Sequence, residues 1–144
     1  MHPVDTSNIC IIRNFTNRGN RVEAIRIQFS ALWVAVMLTY LLGDVLRIYS
    51  GDFKDGKIGG VQPTPLMWLG IAILMVIPAV MVVLSVMLNY PVNRWANIIV
   101  AIFFIIFNLI GLPTYPSAYD KFLIVVSLVF NALTVWLAWN WILT

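Results

Sequence analysis

Tyr40, Asp44 and Arg47 are spaced i, i+4, i+7, which puts a phenol, a carboxylate and a guanidinium on one helix face. They fall near the far end of an apolar run that starts at Ile27. An acid in such a run must face protein, water or a ligand, because lipid cannot solvate it. Two chemistries fit this trio. In one, Asp44 pairs with Arg47 a turn further on, and neighbouring amides tie helices together. In the other, Asp44 is a counter-charge in a cavity that attracts a cation or amine, with tyrosine rings as cation–π faces. Asn108, Tyr115, Tyr119, Asp120 and Ser127 are expected at the same depth and complete an outer polar site. Asn89, Asn93, Arg94 and Asn97 form a second group, an inner polar collar.

Residue types that are scarce narrow the chemistry further. Cys10 is the single cysteine, so a disulfide, a CxxC motif and a thiolate metal cluster are excluded within one chain. His2 is the single histidine and sits at the N-terminus, which argues against haem or zinc. No metal and no cofactor are expected. Asp52 and Asp55 resemble part of a calcium loop, but the alternating oxygens and distal Glu are lacking, so a solvated loop is expected. Hydrolase or transferase chemistry wants His with an acid, a Ser/His pair or carboxylates around a metal. The chain therefore reads as a non-enzyme.

The elements that carry these residues are membrane spans. The chain has 144 residues, of which 61% are hydrophobic and 10% charged, and its mean hydropathy is +0.91. Soluble domains carry about 25% charged residues. Four apolar stretches, near 27–49, 66–88, 95–112 and 118–143, are each long enough to cross about 30 Å of hydrocarbon. Residues 1–19 read as a polar, basic tail ahead of a transmembrane domain at 20–144. Asn20 and Glu23 fit a capping box that starts the first helix at Arg21. The apolar run lacks a small-residue cleavage site, so the first helix is expected to stay in the mature protein. Residues 50–65 form the longest loop, and Pro78 predicts a kink within the second span. The short turn around Asn89–Asn97 makes the second and third spans antiparallel neighbours. Ser117, with Asp120 three residues on, fits a cap for the fourth span, and Trp136, Trp139 and Trp141 mark its interfacial end.

Arg13, Arg18, Arg21 and Arg26 all precede the first span, which predicts cytoplasmic termini and not a nucleic-acid patch. The fold class expected is all-α: an antiparallel four-helix transmembrane bundle in the lipid bilayer, with a short polar N-terminal tail.

Ala31-Leu32-Trp33, Met37-Leu38-Thr39-Tyr40 with Asp44, and Asn93-Arg94-Trp95-Ala96-Asn97 carry a resemblance. The chain from about 28 to 143 resembles a family of small bacterial four-span inner-membrane proteins catalogued as a domain of unknown function. The resemblance implies a four-helix protein of the bacterial plasma membrane and supplies no activity. From the residues themselves, the first function expected is binding or passing a small cationic or polar solute or ion, as a homo-oligomer. The alternative is a structural or regulatory subunit bound to another membrane protein.

Overall fold

The computed structural model describes residues 6–51, 62–115 and 117–141, with side chains from Gly19 onward. Its four helices are α1 (Thr6–Ser50), α2 (Pro65–Met87), α3 (Val92–Gly111) and α4 (Ala118–Asn140), and a single 3-10 turn, Leu112–Thr114, follows α3. Each of the four is long and apolar enough to cross a membrane. Many of their residues are Val and Ile, which are indifferent helix formers. In hydrocarbon every backbone N–H and C=O must be satisfied within the segment, and that requirement outweighs side-chain propensity.

The helix ends follow local chemistry. Thr64 accepts from the Met67 amide at 3.3 Å, and Pro65 occupies the first turn, where its missing N–H is harmless. Gly51, at φ 75°, ends α1 in the left-handed conformation that glycine adopts without strain. The turn between α2 and α3 is tied by Asn93, whose amide donates to the carbonyls of Ser85 (2.6 Å) and Leu88 (3.3 Å) at the end of α2.

Three sequence expectations need correction. The capping box at Asn20–Glu23 does not form a helix start, because α1 already begins at Thr6 and runs through it for 45 residues. The span of α1 is therefore continuous with most of what reads as a tail. Ser117 does occupy the N-cap position of α4, but no side-chain cap bond forms there. Asp120 is committed elsewhere, to Arg47. Trp136 and Trp139 are exposed as expected, whereas Trp141 turns inward against Phe29 and Tyr90, with ring centroids 5.6 and 5.2 Å apart. The loop holding Asp52 and Asp55 lies outside the described residues.

Helix α1 packs along both α2 and α4, and α3 packs along α4, while α2 and α3, joined by the short turn and expected as packed neighbours, touch only slightly. Ser50, Pro65, Gly111 and Ala118 share one end of the bundle; Arg26, Asn89 and Trp141 share the other. The buried faces have a clear period. On α4 the buried positions are Asp120, Ile124, Ser127, Asn131, Thr134 and Ala138, at steps of four and three. On α3 they include Asn93, Asn97, Ala101, Phe104 and Asn108. Buried small and amide side chains thus line the helix contacts, as expected where helices associate without a hydrophobic drive between them. Between the two ends lies an apolar layer of Trp33, Val36, Met81, Ala101 and Phe104.

Candidate functional site

At the Ser50 end, Arg47 is held from three sides. Its Nη2 lies 3.1 Å from Asp120 Oδ1, and its Nε donates to both Asp120 oxygens at 3.2 and 3.3 Å. Its guanidinium carbon sits 4.4 Å above the centre of the Tyr115 ring. Asp44 is the loose partner, at 3.9 Å from Nη1. Exposure sorts the two carboxylates: Asp120 is 4% exposed and Asp44 51%. Charge-assisted bonds in a partly buried setting are strong, and a long contact to a half-exposed acid is worth little. Arg47 therefore belongs to Asp120. The expected Asp44–Arg47 pair is the weaker edge of a three-charge cluster, and one negative charge remains after Arg47 is matched.

Below the cluster is a cavity of about 80 Å³. Its polar walls include Thr39, Tyr40, Asp44, Arg47, Asn108 and Asp120, and Tyr115 also borders it. Its apolar walls come from Leu74 and Met75 of α2, Phe104 and Phe107 of α3, and Leu123 and Ile124 of α4. Helices α2 and α3 thus both line it. Pro78 is fully buried inside α2 and cannot bond the carbonyl of Leu74, the residue one turn earlier that borders the cavity. Helix α2 continues through Pro78 as one element.

Tyr40 and Asn108 of the cavity wall belong to a hydrogen-bonded cluster. Asn108 Nδ2 donates to the Tyr40 hydroxyl at 2.7 Å and to Ser127 Oγ at 3.1 Å. Ser127 donates in turn to the Ile124 carbonyl at 3.0 Å. Asn131, fully buried one turn deeper on α4, donates to the Ser127 carbonyl at 2.8 Å, and its Oδ1 has no hydrogen-bond partner. Thr134, also buried, donates to the carbonyl of Phe130. Of the expected outer group, Tyr119 and Ser127 do not line the cavity, and the Tyr119 hydroxyl meets Ser50 at 2.9 Å.

The opposite end holds a different network. Asn97 Oδ1 accepts from Trp33 Nε1 at 2.7 Å and from Ser85 Oγ at 3.2 Å, and its Nδ2 donates to Asn93 Oδ1 at 2.7 Å. Asn93, Asn97, Trp33 and Ser85 are all fully buried. The inner collar expected at the surface is therefore half interior: Asn93 and Asn97 tie α1, α2 and α3 together inside. Asn89 remains outside, accepting from Arg26 at 3.2 Å, and Arg94 donates to Tyr90 and to the Trp139 carbonyl. These bonds make this end a tie between helices.

A family model described as DUF6326, a family of unknown function, matches residues 14–143. The chain belongs to DUF6326. No curated protein and no solved structure matches it significantly. Membership of DUF6326 brings no activity to carry over, so the chemistry has to come from the site. The sequence placed Tyr40, Asp44, Arg47, Asn108, Tyr115 and Asp120 of this DUF6326 chain at one end, and the structure brings them around one cavity. It missed Thr39, Trp33 and the apolar walls. Trp33 lies seven residues before Tyr40, on the same face of α1, and that spacing was the available signal.

Proposed function

We propose that this membrane protein binds a small cationic or polar solute in the cavity at the Ser50 end, as a non-catalytic protein working as a homo-oligomer. The observation that carries the reading is Asp44. It is a carboxylate on a cavity wall, half exposed, whose one ionic contact among the described residues is at 3.9 Å, while the neighbouring guanidinium is committed to Asp120. A carboxylate so placed attracts cations from water into a partly apolar recess. The concentration of arginines ahead of the first span supports cytoplasmic termini, which turns this cavity outward in a bacterial plasma membrane.

Passage across the membrane requires opening the apolar layer of Trp33, Val36, Met81, Ala101 and Phe104, which fills the middle of the bundle. Pro78 in α2, next to Ile77, which packs on that layer, is the position where the helix has the fewest backbone bonds to lose. The purified protein in liposomes is expected to change the flux of small monovalent cations, with Asp44→Asn reducing the effect about tenfold while leaving the melting temperature nearly unchanged. Absence of both binding and flux across a panel of cations and polar solutes contradicts the proposal and shifts weight to a subunit that docks on another membrane protein.

A further inference from the structure

We propose that the Arg26 end of the bundle, opposite the cavity, binds the phosphate of an anionic phospholipid, with the guanidinium groups of Arg26 and Arg94 as its two cationic arms. Three observations lead there. The first is a surplus of donors. Acceptors at the helix ends are used within the chain. Asn93 takes the carbonyls of Ser85 and Leu88, Arg94 that of Trp139, Asn140 that of Trp136, and the Trp141 amide that of Ala138. Donors are left over. Arg26 Nε, Arg94 Nε and the indole N–H of the buried Trp141 have no hydrogen-bond partner. Buried polar groups in native proteins are normally satisfied, so three orphaned N–H groups at one end call for an acceptor from outside the chain.

The second observation is that both arginines flank one turn. Asn89 and Tyr90 are consecutive residues between α2 and α3. Arg26 Nη2 donates to Asn89 Oδ1 at 3.2 Å, and Arg94 Nη1 donates to the Tyr90 hydroxyl at 3.4 Å. Among the described residues neither arginine pairs with a carboxylate, the exposed Glu23 included. A guanidinium has five N–H donors in a fixed fork, and most of them stay idle here. Arg47 shows what the idle edge does beside an oxyanion, since its Nε and Nη2 both hold the Asp120 carboxylate. Phosphate accepts the same fork. The Nε atoms of Arg26 and Arg94 are buried as folded, and their long, flexible stems let the head turn that edge toward a ligand. Helix α3 adds its positive end, because it starts at Val92 with no side-chain cap and no acid in its first turn.

The third observation is depth. Trp95, Trp136 and Trp139 are exposed at this end, and tryptophan gathers where membrane meets water. The Arg94 guanidinium carbon lies 6.0 Å from the centre of the Trp139 ring, which places the cation at headgroup level. Arg13, Arg18 and Arg21 precede Arg26 on α1 and add charge of the same sign. A dissolved phosphate meets the same donors but leaves the exposed rings uncovered. A lipid sets its acyl chains beside them, so the lipid is the occupant that uses both the cations and the rings.

Native mass spectrometry of the full-length protein in a non-ionic detergent tests this, with phosphatidylglycerol, phosphatidylcholine of the same chain length and inorganic phosphate as probes. Phosphatidylglycerol is expected to bind about tenfold tighter than phosphatidylcholine. Arg26→Gln and Arg94→Gln are each expected to weaken it about fivefold, the effect of one basic residue at an anionic surface. Together they are expected to bring the two lipids close. Arg21→Gln removes the same charge from an exposed position on α1 and is expected to weaken binding less than about twofold. Arg94→Gln also loses the bonds to Tyr90 and Trp139. If that variant does not fold, Arg94→Lys keeps the charge without the fork and is expected to cost about threefold. Equal losses from Arg21→Gln and from the two site variants overturn the site in favour of general surface charge. An unchanged lipid preference in the double variant overturns the roles of Arg26 and Arg94. Inorganic phosphate that displaces the lipid, with the same dependence on both arginines, overturns the lipid as the occupant.

Discussion

Asp120→Ala is expected to lower the unfolding free energy by about 2 to 3 kcal/mol. Truncating one partner of a buried pair commonly costs about 3 to 5 kcal/mol, because the other charge is left without compensation. Arg47 is 28% exposed, and its long stem lets part of the guanidinium turn to water, which trims that figure. The Tyr115 face remains beneath it but supplies only part of the lost attraction. Asp120→Asn keeps an acceptor and is expected to cost about 1 kcal/mol. Asp44→Asn is expected to stay within about 0.5 kcal/mol, since its ionic contact is long and half exposed. Reversible unfolding in mixed detergent micelles ranks the three variants. An Asp44 effect as large as that of Asp120 contradicts the assignment of Arg47 to Asp120.

The second large effect is at the other end. Asn97→Ala removes the acceptor of the Trp33 indole N–H and of the Ser85 hydroxyl, and the donor to Asn93, all in a fully buried setting. Hydrogen bonds between membrane helices average about 0.6 kcal/mol, with a maximum near 1.7. Three of them, together with the hole left by the amide, give about 2 to 3 kcal/mol. The Trp33 N–H has no other acceptor in hydrogen-bond contact, so its loss adds to the total. Replacing both partners by apolar groups is gentler than stranding one. Asn97→Leu combined with Trp33→Phe is therefore expected to lose less than Asn97→Leu alone. Equal losses in the single and double variants contradict the network.

These contrasts also show what could be read from the chain. Four spans were legible because hydrocarbon forces a length and an apolarity on each helix, and 144 residues leave little room for anything else. The polar stripe of α4 was legible from spacing, since Asp120, Ser127, Asn131 and Thr134 repeat at steps of three and four or their sum. Which stripes face one another was not. Periodicity gives each helix a face but not its neighbour, so Asp44 took Arg47 as its local partner, when Arg47 reaches across 73 residues to Asp120. The start of α1 was missed for a related reason. Asn20 and Glu23 satisfy a capping pattern, yet the same residues are tolerated inside a long helix, and the polar segment before them extends it. The walls contributed by Leu74, Met75 and Phe107 carry no signal of their own, because in an apolar helix a cavity residue and a lipid-facing one have the same type.

The central claim is that the cavity beside Asp44 is open to water and favours cations, and a single cysteine reads both properties. Leu74→Cys, on a Cys10→Ser background, places a thiol on the α2 wall of the cavity. The rate of its modification is then compared for a positively charged and a negatively charged methanethiosulfonate of similar size. The account predicts that the cationic reagent reacts severalfold faster than the anionic one relative to a free thiol, and that adding Asp44→Asn brings the two rates close together. A thiol that neither reagent reaches, or one that both modify at equal relative rates whether or not Asp44 is present, contradicts it.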